Sequence, residues 1–232
     1  MKLNRYFRTL PLLVALTLVT LGAFAQSRSF DLKNFDRLDL GHAFQIDVRQ
    51  GSNFKVTAEG EQKDLDDLEA NVSSNTLKIR FKESKKWNNR QERVRIAITM
   101  PTLRGLDLSG ATQTTVEGFN NLNEVDLDIS GASRVNLALT AKKINLDVSG
   151  ASNVTMTGKA SQMEGDISGA TSFKASDFEV ANVRLEVSGA SSARLHVTNG
   201  LVADASGASS VRYRGKASVQ ANTSGASSVR SE

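Results

Sequence analysis

The chain has 232 residues, with 29 Lys and Arg against 25 Asp and Glu, and it has no cysteine. The lack of cysteine excludes a disulfide framework and a lipid-modified N-terminal Cys, so folding rests on the core alone. Three of the basic residues and none of the acidic ones lie in the first 25 positions, so the remainder holds 26 basic residues against 25 acidic ones, a balance that gives no case for nucleic-acid binding.

Those first positions read as an export signal. Lys2, Arg5 and Arg8 precede an almost wholly apolar run from Thr9 to Phe24, and Ala23-Phe24-Ala25 is the small-x-small pattern that signal peptidase reads. Cleavage is predicted before Gln26, placing the protein in the periplasm or at the cell surface. The apolar run is short for a spanning helix and no other segment could span as one. The cleaved protein is therefore expected not to be an integral membrane protein.

Residues 26–105 form a lead-in of alternating apolar and polar residues. Phe44-Gln45-Ile46-Asp47-Val48 and Phe54-Lys55-Val56-Thr57-Ala58 flank the turn residues Gln50-Gly51-Ser52-Asn53, which predicts a hairpin. Asp64-Leu65-Asp66-Asp67-Leu68 has the spacing of one helical turn. Thr76 to Phe81 and Arg93 to Ile98 give two more strands, joined by a charged stretch containing Lys82, Lys85, Lys86, Trp87 and Arg90 that reads as a solvated loop. These strands are expected to cover the open end of the repeat region beyond residue 105, since an uncovered strand edge invites aggregation.

From residue 106 to 232 that repeat takes over. Ser-Gly-Ala occurs seven times, at Ser109, Ser130, Ser149, Ser168, Ser188, Ser206 and Ser224, in steps of 21, 19, 19, 20, 18 and 18 residues. A period of this size is the signature of stacked rungs. Apolar residues stand one and three before the Ser, as in Leu127 and Ile129, and five and seven after it, as in Val135 and Leu137. Period-two alternation on both sides means strand, corner, strand. The fold expected is all-β, a right-handed parallel β-helix with rungs of 18–21 residues.

The corner composition has a physical reason. Gly110, Gly131, Gly150, Gly169, Gly189, Gly207 and Gly225 permit backbone angles that a sharp corner needs. Ala132 and Ala151 are expected where the walls approach closely, and flanking hydroxyls can satisfy exposed backbone groups. Seven copies without a partner histidine argue against a hydrolase nucleophile.

Two residues before each Ser stand Asp107, Asp128, Asp147, Asp166, Glu186, Asp204 and Asn222, all expected to face outward. Neighbouring carboxylates one rung apart repel by roughly 1 kcal/mol in a water-like dielectric. Hydrogen bonds from the corner, or pairing with Lys174, Arg194, Arg212 and Arg230 six after the Ser, would compensate. Asp107, Asp128, Asp147 and Asp166 are also candidates for a row of calcium sites, although the glycine-rich nonapeptide of calcium-binding β-rolls is missing. No cofactor-binding pattern is present.

Enzyme chemistry is disfavoured. His42 and His196 are the only histidines, both placed as strand surface residues, and neither zinc spacing nor a phosphate-cradling loop is found. Short rungs leave little room for the long loops with which some β-helix proteins cleave acidic polysaccharides.

The signal, the lead-in containing Phe44-Gln45-Ile46-Asp47-Val48-Arg49-Gln50-Gly51, and the serial Asp-x-Ser-Gly-Ala-Ser units resemble the secreted family called putative auto-transporter adhesin, head GIN domain, common in Bacteroidetes. The likeness covers roughly residues 34–220. It implies a β-helical secreted domain with a role in adhesion. No C-terminal membrane barrel follows the repeats, so self-export through an outer membrane is not expected. Two functions remain: a non-enzymatic module that binds an extracellular or envelope glycan or protein, and a structural protein that forms homo-oligomers through its open C-terminal rung.

Overall fold

The computed structural model describes residues 26–82 and 94–232. The predicted signal segment and the stretch around Trp87 lie outside the described residues. In chain order the elements are β1 (Gln26–Phe30), β2 (Arg37–Leu40), β3 (Gln45–Gln50), β4 (Lys55–Gly60), α1 (Gln62–Asp66), β5 (Leu68–Ser73), β6 (Thr76–Phe81), β7 (Arg95–Met100) and β8 (Gly105–Leu108). The long strands β9 (Gln113–Ile129), β10 (Arg134–Val148), β11 (Asn153–Ile167), β12 (Ser172–Val187) and β13 (Ser192–Ala205) come next, then β14 (Ser210–Arg214), β15 (Ser218–Thr223) and β16 (Ser228–Ser231).

From β8 onward every rung stacks in parallel on the next, giving an all-β solenoid of about seven turns. Each of the strands β9 to β13 has two limbs, one leaving a Ser-Gly-Ala corner and one entering the next. Register follows the repeat: Val135 lies between Thr114 and Val154, and Val148 between Ile129 and Ile167. These side chains are fully buried. They form two continuous inner columns, one on each limb, each large member adding about 1.5–3 kcal/mol of burial energy.

Residues 37–50 already form a rung of the solenoid. β2 pairs in parallel with β8, and β3 with β9. Between β2 and β3, Gly41-His42-Ala43-Phe44 occupies the place of a Ser-Gly-Ala-Ser corner. The Ala111 N–H donates to the His42 carbonyl (2.9 Å), as the Ala132 N–H donates to the Gly110 carbonyl (2.7 Å). His42 takes φ +71°, the left-handed angle that glycine adopts in the later copies. It is therefore a corner residue, not the strand surface residue expected, and its ring packs edge-on to Phe81 at 5.4 Å.

On the far side of this rung lie β6, parallel to β2, and β7, parallel to β3. Beyond them the pairing turns antiparallel, with β5 on β6, β4 on β7 and β1 on β4. The hairpin expected between β3 and β4 does not form, because β7 lies between them. Alternation identifies both strands correctly, but it specifies which face is buried and says nothing of the partner. Arg28 of β1 ties the helical turn to this cover by donating to the carbonyls of Leu65 (2.7 Å) and Leu68 (3.1 Å).

The corners reverse one expectation. Ala132 and Ala151 are exposed, and the buried corner residue is the fourth: Thr112, Ser133, Ser152, Thr171, Ser191 and Ser209 all lie inside. Its hydroxyl bonds back across the bend, from Ser152 Oγ to the Ser149 carbonyl (3.1 Å) and from Thr171 Oγ1 to the Ser168 carbonyl (2.8 Å). A buried hydroxyl needs such a partner. The seven repeat glycines have φ between +71° and +82°.

Candidate functional site: two charge ladders

The alternation that buries Leu and Val sends the intervening residues outward, and the parallel register stacks like on like. Asp107 pairs in register with Asp128, Asp128 with Asp147, Asp147 with Asp166, Asp166 with Glu186, and Glu186 with Asp204. The sequence repeat missed one member. Asp39 stacks on Asp107, so the acidic ladder begins a rung earlier, where no Ser-Gly-Ala marks it. The signal available was Leu38-Asp39-Leu40, identical in pattern to Leu106-Asp107-Leu108.

Both ends of this ladder have partners, cations at one end and an amide at the other. Asp39 accepts from Arg80 Nη2 at 2.9 Å and pairs with Lys78 Nζ at 3.1 Å. At the other end Asn222 Nδ2 donates to Asp204 Oδ1 at 2.6 Å. Between them the side chains of Asp107, Asp128, Asp147, Asp166 and Glu186 carry no hydrogen bond or ion pair among the described residues. Among the described residues compensation by corner hydroxyls is not seen: those of Ser133, Ser152 and Thr171 donate to backbone carbonyls, and that of Thr112 to the Ser133 hydroxyl.

The carboxyl groups respond to this arrangement. Partial burial first, then the charges of Asp39 and Asp128, push the Asp107 carboxyl above its ordinary value. Asp147 is raised likewise, by partial burial and then by Asp128 and Asp166. Asp126 on the parallel outward column goes the other way, lowered by the hydrogen bond from Asn145 (2.7 Å) and by Arg37 (2.8 Å). The Arg37 guanidinium reaches Asp126 across Gly105, where a Cβ would stand 2.7 Å from its Nη1.

Acid ladder and Asp126 column together line a groove of about 640 Å³. Seven carboxylates face it, those of Asp39, Asp107, Asp126, Asp128, Asp147, Glu164 and Asp166, against the two cations Arg37 and Lys78. The carboxylates form a line along the axis; among the described residues no three acidic or histidine side chains converge as a metal ion requires.

The basic residues six after the Ser do not meet these acids. They stack on one another on the limb leaving the corner: Lys174 on Arg194, Arg194 on Arg212, and Arg212 on Arg230. All four are exposed. Two opposite ladders thus flank the same line of corners. His196 lies on this limb in register with Arg214, and His42 sits at a corner, so each histidine has a separate structural setting.

The fold and the outward ladders define a parallel β-solenoid that presents long walls of stacked, like-charged residues to solvent. The chain belongs to the family described as putative auto-transporter adhesin, head GIN domain, whose profile matches residues 34–217. It is similar in fold to a putative adhesin from Bacteroides fragilis, with a TM-score of 0.85, 22% identity, and coverage of 91% of this chain and 98% of that one. A putative adhesin from Parabacteroides distasonis gives a TM-score of 0.71 at 21% identity, covering 90% and 97%. A protein from the same organism named a putative lipid binding protein gives 0.68 at 17% identity, covering 90% and 96%. No curated protein matches the chain. Among the described residues no helix is long and apolar enough to cross a membrane.

Proposed function

We propose that the chain is an exported, non-enzymatic binding module that holds an extracellular or envelope polymer or protein against the outer face of its solenoid. The single observation that supports this most is the acidic ladder, paired with cations at Asp39, hydrogen-bonded by Asn222 at Asp204, and without partners among the described residues over the five rungs between. Charges held in register at a cost to the fold are relieved when a partner brings the opposite charge. The groove is open along the axis and lined by carboxylates from successive rungs, which suits an elongated partner.

The test is to immobilise residues 26–232 and to measure capture of charged and neutral glycans and of envelope proteins at low and at high salt. Salt-sensitive capture of at least one class is expected. Absence of any capture at low salt overturns the reading.

A second reading, end-to-end assembly, has one observation in its favour. β15 and β16 have no strand on their far side among the described residues, and Val219 of β15 is an exposed large hydrophobic residue. Light scattering on the same protein decides it: a dimer lost on Val219→Lys supports assembly, and a monomer at high concentration removes it.

A further inference from the structure

We infer that the basic ladder is a second binding surface, built for a linear polysaccharide with acidic groups repeating along its length and lying parallel to the solenoid axis. This inference deepens the binding-module reading and rests on it. Lys174, Arg194, Arg212 and Arg230 occupy four consecutive rungs in direct register, with nothing inserted between them. At about 4.8 Å per rung they span about 14 Å.

Their surroundings leave them available. Lys174, Arg212 and Arg230 carry no hydrogen bond or ion pair among the described residues, and Arg194 has only a long contact of 3.8 Å with Glu232. Arg214, on the next outward column, is already committed to the Ser176 carbonyl and to Asp177 at 3.4 Å. Adjacent like charges at the rung spacing repel by roughly 1 kcal/mol per neighbouring pair in water. A carboxylate placed between two of them reverses the sign of that interaction.

The neighbouring column supplies the rest of the chemistry. Two residues before each cation stand Ser172, Ser192, Ser210 and Ser228, stacked in the same register. Each hydroxyl can donate and accept, as sugar hydroxyls require. Guanidinium groups bind carboxylates in a bidentate fork. A row of forks beside a row of hydroxyls, both repeating with the rung, fits an acidic sugar polymer better than a compact anion. Upstream the cation column continues as Thr115, Asn136 and Thr155, uncharged residues that extend the track without repelling the polymer.

The experiment uses residues 26–232, polygalacturonate as the acidic probe and dextran as the neutral one. Polygalacturonate is expected to bind at low salt and dextran not. Substituting Lys174→Gln, Arg194→Gln and Arg212→Gln together is expected to weaken binding at least tenfold, and Lys174→Gln alone by a few fold, with unchanged circular dichroism and an unfolding midpoint no lower than the parent's. The variant Asp107→Asn, Asp128→Asn, Asp147→Asn is expected to bind at least as well as the parent. Equal binding by the triple Gln variant, or equal binding of dextran, overturns the assignment. So does salt-sensitive self-association that either triple variant abolishes, which would make a second copy of this chain the occupant. Failure of polygalacturonate to bind, while the immobilised chain still captures another glycan or an envelope protein, leaves the binding-module reading standing and removes only the acidic polysaccharide.

Discussion

Gly131 sits directly on Gly110, so close that a Cβ on Gly131 would stand 2.2 Å from the Gly110 carbonyl oxygen, the atom that accepts the Ala132 N–H at 2.7 Å. Two constraints coincide there, a left-handed φ of +81° and the backbone of the preceding rung. The corner glycines are therefore demanded by stacking as well as by the bend.

Gly131→Ala is expected to destabilise the protein by about 2–4 kcal/mol, combining left-handed strain with a clash that only backbone movement relieves. At Gly225 the same φ region applies, but the Cβ would lie 2.8 Å from the Gly207 oxygen, at the edge of the stack. Gly225→Ala should cost less, about 1–3 kcal/mol, the same strain with a milder clash. Urea unfolding of the two variants compares them; equal losses would show that the closer approach at Gly131 adds nothing.

The acid ladder predicts an inverted pH response. A carboxyl raised in the folded state binds its proton more tightly there than in the unfolded chain, so its ionisation destabilises the fold. That penalty is present above the raised value and is relieved as pH falls through it towards the ordinary carboxylate value. Asp107→Asn and Asp147→Asn should each stabilise the protein near neutral pH, by about 0.5 kcal/mol given the screening of exposed groups. The gain should vanish in acid, where the parent carboxyls are protonated.

Asp126 provides the opposite sign on the same wall. Its carboxyl is lowered, so its contribution is present above the unfolded value and is lost as pH falls through the folded one. Asp126→Asn should destabilise near neutral pH by about 0.5–1 kcal/mol, with the loss disappearing in acid. Unfolding midpoints of Asp107→Asn and Asp126→Asn across pH should diverge at neutrality and converge in acid.

Ser152 tests the buried corner hydroxyl. It is fully buried and its Oγ lies 3.1 Å from the Ser149 carbonyl. Ser152→Ala removes that donor and should cost about 1 kcal/mol, whereas Ala151→Ser, at an exposed corner position, should change stability by less than about 0.5 kcal/mol.

Stability should also fall along the axis. The inner columns end in small residues, with Ala203 and Ala205 buried but Ala221 and Thr223 exposed, and every residue of β15 is exposed. At about 25 cal/mol per Å² less burial means less protection. Hydrogen exchange should release the amides of β15 and β16 first and those of β10 to β12 last; uniform protection would contradict the gradient.

Much of this architecture is legible in the sequence because it is periodic. The inward positions Leu127, Ile129, Val135 and Leu137 and the outward Asp128 alternate within a few residues, and the Ser-Gly-Ala copies set the rung length. Local sterics fix those features, so a short window suffices to read them. The rung of residues 37–50 is hidden from such a reading because His42 replaces the glycine and Phe44 the serine, which removes the motif but keeps the geometry.

What the sequence determined by itself is the rung: its two strands, its corner and which side chains face in. Only the tertiary structure decided the neighbours. The rung of β2 and β3 is inserted between β6 with β7 and β8 with β9, so the earliest rung in the chain is not the outermost in space. That order rests on backbone pairing across tens of residues, which no local pattern encodes. The charge ladders depend on it too: an outward Asp or Arg is a property of one strand, whereas a ladder exists only when the register sets equivalent residues one rung apart.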